Sequence, residues 1–275
     1  MNLKEKERCS KLCLREYVRI YFMMIGQDFK SKMQYRADFI ISSLAILMTN
    51  VLGIISFRLV FNAVPSIGGY SYDEMIFIYS FALLAQVIPQ LFFDNLWWLS
   101  GTCEDGSFLK YCLKPVNTYF YFVAEVFDPK GIGQLIFSVI MMIISWGRLG
   151  IPVTFLNVGV LLLTLLGASM LLAGIMMLSC SMSFVTLHGH TVMNFMMRFR
   201  DYGRYPTSIF SKLFRFVFTY ILPIGFICFY PSLYFLRPEA NKAMAVISPL
   251  VGLFVFVIGY KVWMRLAMKY AGTGT

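Results

Sequence analysis

Long apolar runs, separated by gaps whose positive charge alternates between high and low, constrain this chain more than any motif in it. Six stretches, about Asp38 to Phe61, Asp73 to Leu99, Tyr121 to Trp146, Val153 to Phe184, Phe214 to Leu236 and Met244 to Val262, have the length and apolarity to cross a hydrocarbon layer of about 30 Å. Of the 24 Lys and Arg residues, nine precede the first run, and Lys110, Lys114 and Lys130 lie in the second gap or early in the run after it. Arg198, Arg200, Arg204, Lys212 and Arg215 lie in the fourth gap or at its edge, and Lys261, Arg265 and Lys269 at the end of the last run and beyond. Arg148, Arg237 and Lys242 are left for the other gaps, and Arg58 lies inside a run. Basic residues collect on the cytoplasmic side of a membrane protein, so the pattern predicts six transmembrane helices with both termini inside.

Composition agrees. With 59% hydrophobic and 14% charged residues in 275, the chain holds more apolar surface than a water-soluble core absorbs. The net charge of +10 would suggest nucleic acid in a soluble protein, but here the basic residues flank apolar runs, where topology and anionic lipid headgroups account for them. Nucleic acid is therefore not an expected partner, whereas membrane lipids are. Cys9, Cys13, Cys103 and Cys112 fall in segments expected to be cytoplasmic, and Cys180 and Cys228 fall in runs, which reads as reduced thiols.

The organisation is simple. Residues 1–37 form a tail and an amphipathic helix, about Leu12 to Arg36, with Leu14, Tyr17, Val18, Tyr21 and Ile25 on one face and Lys11, Arg15 and Arg19 on another, as for a helix lying on the membrane surface. Residues 38–275 form one all-α membrane domain. Small residues in the fourth run, among them Gly159, Gly167, Ser169 and Gly174, predict a central packing helix. Between the second and third runs a polar linker contains a short helical pattern, with Phe108, Tyr111 and Cys112 on one side and a stop at Pro115.

Few residues offer chemistry. Phosphate-binding, metalloprotease and serine-hydrolase signatures are missing, so the chain is expected to be non-catalytic. His188 and His190 have no third ligand near them in sequence, and solvated histidines are the expectation. Arg58, Asp73, Glu74 and Asp94 sit near run ends, where snorkelling gives a structural reading. Gln86, Gln90, Pro223, Tyr230 and Pro231 interrupt otherwise apolar runs; a translocation path and a packing kink are both open for them.

Three stretches carry a resemblance. EDGSFLKYCLKPVN (Glu104 to Asn117), YPTSIF with YILPIGFICFYPSLYFL (Tyr205 to Leu236) and the tail YAGTGT (Tyr270 to Thr275) stand in order and spacing. They resemble the inner-loop, outer-gate and terminal motifs of the bacterial ABC exporter permeases of the type-2, six-span class, in the subfamily of unlike permease pairs served by a separate ATPase. Lys114 stands where Arg is usual, and Thr275 where Ser is usual.

The resemblance implies a cytosolic ATPase dimer carrying ATP and Mg, a second, non-identical permease, and location in the bacterial cytoplasmic membrane. It implies a coupling helix built from Glu104, Asp105, Gly106, Ser107, Phe108, Leu109, Lys110 and Tyr111. A charged residue in place of Phe108 or Leu109 is then expected to abolish transport with assembly intact. Cargo is expected to be amphipathic or hydrophobic. The competing readings are an ion-coupled transporter or channel, and a lipid-modifying membrane enzyme using Glu104, Asp105, Glu125 and Asp128.

Overall fold

A computed structural model describes residues 13–34, 36–186, 189–237 and 242–270, which are helical with short connections. Cys9, Lys11, His188, Glu239 and the tail beyond Tyr270 lie outside the described residues. Among the described residues, five helices are long and apolar enough to cross a membrane. They are α2 (Arg36–Ala63), α3 (Tyr72–Phe92), α7 (Lys130–Arg148), α8 (Phe155–Cys180) and α12 (Ala243–Ala267). Helix α1 (Leu14–Gln34) precedes them, and α4 (Leu99–Glu104), α5 (Leu109–Cys112) and α6 (Thr118–Ala124) lie between α3 and α7. Between α8 and α12 come α9 (Gly189–Tyr202), α10 (Lys212–Phe216) and α11 (Phe229–Leu236).

Helix α3 is the most enclosed of the long helices and α2 the least. A capping box starts α3: Ser71 Oγ accepts from the Glu74 amide while the Ser71 amide donates to Glu74 Oε2 at 2.8 Å. Helices α8 and α12 are the tightest pair. A Cβ on Gly252 would overlap the carbonyl oxygen of Gly167, and one on Gly259 would lie 2.8 Å from that of Gly174. Backbones this close gain dispersion contacts that lipid cannot supply, which is why small residues recur here. Helix α8 also touches α3, where Ser169 Oγ donates to the Ala85 carbonyl at 2.9 Å. The central packing role read from the small residues of the fourth run is thus seen in the structure.

The bundle has two ends, named here by their glycines. Gly68 and Gly106 both have positive φ, 60° and 73°, and sit in the turns after α2 and α4. The Gly68 end carries Arg148, which pairs with Asp73 at 3.1 Å, and Arg237, which pairs with Glu74 and stands over the Tyr70 ring. The Gly106 end carries α1, whose Tyr17 ring meets Phe120 at 4.9 Å and whose Asp28 accepts from the Phe127 amide.

Two runs differ from the sequence reading. The third is split: α6 ends at Ala124, and α7 starts only at Lys130, after Pro129, so residues 121–146 are not one helix. The fifth, 214–236, is broken more severely. A π-helical turn at Val217–Ile221 gives way at Leu222 and Pro223 to a 3-10 turn, Ile224–Phe226, before α11. It leaves and returns at one end, since Ser208 Oγ reaches the Gly68 carbonyl and Arg237 donates to that of Gly69 at 3.0 Å. Between these points Leu222, Ile224 and Ile227 dip inward to meet Leu172, Met196 and Phe199. Proline removes a backbone donor and fixes φ, which is the physical reason a continuous helix fails here.

Helix α9 instead joins the two ends. Gly189 abuts Ser183 and His190 faces Trp97 at the Gly106 end, while beyond α9 Arg204 stands over the Tyr79 ring and Tyr205 meets Phe57 at the Gly68 end. The fourth gap, read from its basic residues as wholly cytoplasmic, therefore runs the length of the bundle. Its later part, including Lys212 and Arg215, lies with the Gly68 loop.

Candidate functional site

The Gly106 turn is built from the inside out. Phe108 is fully buried, its ring 4.9 Å from Phe184, 5.9 Å from Trp263 and 5.4 Å from Tyr270. Tyr111 is buried beside it and hydrogen-bonds Glu125, which also accepts from Lys110 Nζ at 2.9 Å. Burial and the Glu125 carboxylate push the Tyr111 phenol up to about 12. Asp105 accepts from the Ser107 amide at 2.9 Å, and hydrogen bonding from the Ser107 hydroxyl and then from this amide holds its carboxyl below the usual range. Asn117 caps α6 by accepting from the Phe120 amide and donates to Tyr260 Oη at 3.0 Å, tying the linker to α12.

Outward from this anchor stand Glu104, Asp105, Leu109, Lys110, Leu113 and Lys114, all exposed. The predicted coupling set is thus divided. Glu104, Asp105, Leu109 and Lys110 face out, Gly106 and Ser107 form the turn, and Phe108 and Tyr111 are core. The element is two short helices around a turn rather than one helix. Phe108 does not belong to the outer face, so a charge there would strike the aromatic core.

A cavity of about 400 Å³ runs between α2, α3, α8 and α9. Its polar lining is Thr49 and Asn50 from α2, Gln86 and Gln90 from α3, Asp94 just beyond α3, Gln134 from α7, and Arg200 and Arg204 from α9 and its end. Gln134 Nε2 is engaged with the Leu83 carbonyl at 3.1 Å. A second cavity, about 310 Å³, continues along α2 to Ile67 and shares Arg204 with the first. Of the residues singled out in sequence, Gln86 and Gln90 stand in this wall, whereas Pro223, Tyr230 and Pro231 lie in the broken segment. There Tyr230 Oη meets Thr219 Oγ1 at 2.6 Å and Pro231 is buried. Sequence reasoning missed Asn50, Arg200 and Arg204; the paired arginines one helical turn apart, beside Met193, Met196 and Met197, were the available signal.

The four acids considered for lipid chemistry do not converge. Glu104 accepts from Ser100, Asp105 from Ser107, Glu125 from Lys110 and Tyr111, and Asp128 from the Lys130 amide. Among the described residues no group of three metal-ligating side chains is found.

These features define a polytopic helical membrane protein with a half-open groove that carries polar side chains and an anchored turn at one end. A family model described as ABC-2 family transporter protein matches residues 46–274, and the chain belongs to that family. No curated protein and no solved structure matched the chain. The family places the chain as the membrane component, or permease, of an ABC transporter.

Proposed function

We propose that this chain is the permease subunit of an ATP-driven exporter in a bacterial cytoplasmic membrane, with the Gly106 end in the cytosol. Six crossings are then made by α2, α3, α7, α8, α9 and α12, both termini lie inside, and α1 rests on the inner leaflet as an amphipathic connecting helix. The observation that carries this reading is the exposed ridge of Glu104, Asp105, Leu109, Lys110 and Leu113 on a turn fixed by buried Phe108 and Tyr111. A rigid turn with a mixed apolar and charged outer face suits a cytosolic ATPase dimer, which supplies ATP and Mg. The chain itself has no catalytic role.

A second permease, a non-identical homologue, covers α2, whose apolar side chains are exposed nearly all round. Cargo, an amphipathic or hydrophobic molecule such as a drug, peptide or lipid, passes along α2 through the cavity lined by Gln86 and Gln90. Ion coupling is disfavoured because two of the three charged side chains lining the cavity, Arg200 and Arg204, do not release protons in proteins, and Asp94 stands at its end, just beyond α3.

Co-expression with the candidate ATPase and second permease tests the reading. ATPase co-purification that Leu109→Asp with Leu113→Asp abolishes, together with ATP-dependent transport in proteoliposomes, is the expected result. Transport by this chain without ATPase, or its collapse with an ionophore while ATP remains, would overturn it.

A further inference from the structure

The cavity between α2, α3 and α9 has hydrogen-bond donors to spare. Arg200 and Arg204 stand one turn apart, 28% and 24% exposed, and among the described residues their salt bridges both end on Asp201, at 3.5 and 3.1 Å. One carboxylate thus serves two guanidiniums, and that carboxylate is itself half exposed. Arg204 also stands over the Tyr79 ring at 5.6 Å, where the ring face softens but does not cancel its charge.

Four buried nitrogens at this cavity lack any hydrogen-bond partner: Arg200 Nε, Arg204 Nε, Asn50 Nδ2 and Gln86 Nε2. Asn50 and Gln86 are only 5% and 8% exposed, so their amides are enclosed rather than solvated. All four are donors, and a guanidinium has no acceptor to offer in return. Buried polar groups in folded proteins are otherwise nearly always paired, so the unmet demand is for acceptor oxygens carrying negative charge. Arg204 lies where the two cavities meet, so anything moving along α2 passes it. The remaining wall is apolar at Ile46, Leu172 and Met176 and polar at Thr49, Gln90 and Asp94, the last a single carboxylate that faces the cavity alongside two guanidiniums.

We propose that this groove binds an amphipathic anion, with the oxyanion of a phosphate, sulfate or carboxylate group on Arg200 and Arg204 and the apolar body along α2. The assignment rests on the permease reading for its purpose, and it names the class of cargo. Bidentate guanidinium contacts suit such oxyanions, and the low-dielectric surroundings strengthen them. An uncharged molecule offers the guanidiniums only neutral acceptors, and a zwitterion brings its own cation to compete with them for its oxyanion.

Binding to the purified full chain in an uncharged maltoside detergent tests this, with short-chain phosphatidylglycerol, short-chain phosphatidylcholine and inorganic phosphate as probes. Phosphatidylglycerol is expected to bind roughly tenfold or more tighter than phosphatidylcholine. The preference should vanish in the Arg200→Gln, Arg204→Gln double variant, persist in part with Lys at both sites, and survive Arg148→Gln at the Gly68 end. Should the glutamine variant fail to fold, a Thr49→Cys variant with both arginines intact serves instead. Its labelling by an uncharged maleimide, located by peptide mass, should be blocked by phosphatidylglycerol and not by phosphatidylcholine.

Equal binding of the two lipids, or a preference indifferent to the arginines, overturns the proposal. Inorganic phosphate binding as tightly as phosphatidylglycerol overturns the amphipathic source and assigns the site to a free oxyanion. Because no ATPase is present, a chain that co-purifies with its ATPase yet shows no anion preference removes this inference alone.

Discussion

The hydroxyl of Tyr270 donates to the carbonyl oxygen of Cys103 at 2.8 Å, so the residue just past α12 holds the last turn of α4 in place. The same ring meets Phe108 edge-on, which makes the tail a brace for the Gly106 turn. Tyr270→Phe keeps the ring and removes one hydrogen bond, worth about 1 kcal/mol. A thermal midpoint lowered by about 2–4 °C is expected in detergent. Tyr270→Ala should fall further, and in the assembled complex it should weaken the link between ATP hydrolysis and transport.

Phe108 and Leu109 are neighbours with opposite duties. Phe108→Ala empties the aromatic cluster around Trp263 and should cost about 3–5 kcal/mol, seen as loss of monodisperse protein in size-exclusion chromatography. Leu109→Asp, on a side chain 44% exposed, should leave folding intact within about 0.5 kcal/mol and act only on partner binding. A Phe108→Ala variant as stable as the parent would contradict the core placement.

Two glycines separate close packing from helix propensity. Gly252→Ala drives a methyl group into the Gly167 carbonyl and should destabilise by about 1–3 kcal/mol in chemical denaturation. Gly133→Ala, on α7 with nothing within 4 Å of its added carbon, should be neutral or stabilise by about 0.5–1 kcal/mol. Equal effects would mean that α8 and α12 are not in backbone contact.

Single cysteines report which end of the bundle a residue occupies. Ser208→Cys is expected to react with a membrane-impermeant maleimide from the same side as Ser66→Cys and from the side opposite Leu109→Cys. Labelling of position 208 from the side of position 109 would restore the cytoplasmic placement that the basic residues suggested.

Much of the bundle is legible in the sequence, because α2, α3, α8 and α12 are long, mostly apolar helices whose physical outlet is lipid or a neighbouring helix. What was not legible is the exchange between α9 and the stretch after it. Helix α9 is short and carries Arg198 and Arg200, so a reading that counts basic residues assigns it to a loop. The apolar stretch 214–236 has the composition of a span, but Pro223 and the π-helical turn deny it a continuous backbone. The turn was picked out by its motif, and the helical pattern already set Phe108 and Tyr111 on one side and Leu109 off it; that this side is the aromatic core and not the outer face is shown only by packing. Gln86 and Gln90 were visible as polar interruptions; Arg200 and Arg204 were hidden because they had been counted as topology signals.

The interlocked glycines of α8 and α12 leave those two helices little freedom to slide. A push delivered at Gly106 would travel through them as through one stiff beam. On the permease reading proposed above, motion is then taken up by the loosely held α2 and by the segment broken at Pro223, so that the groove along α2 would open at its outer wall while its back remains still.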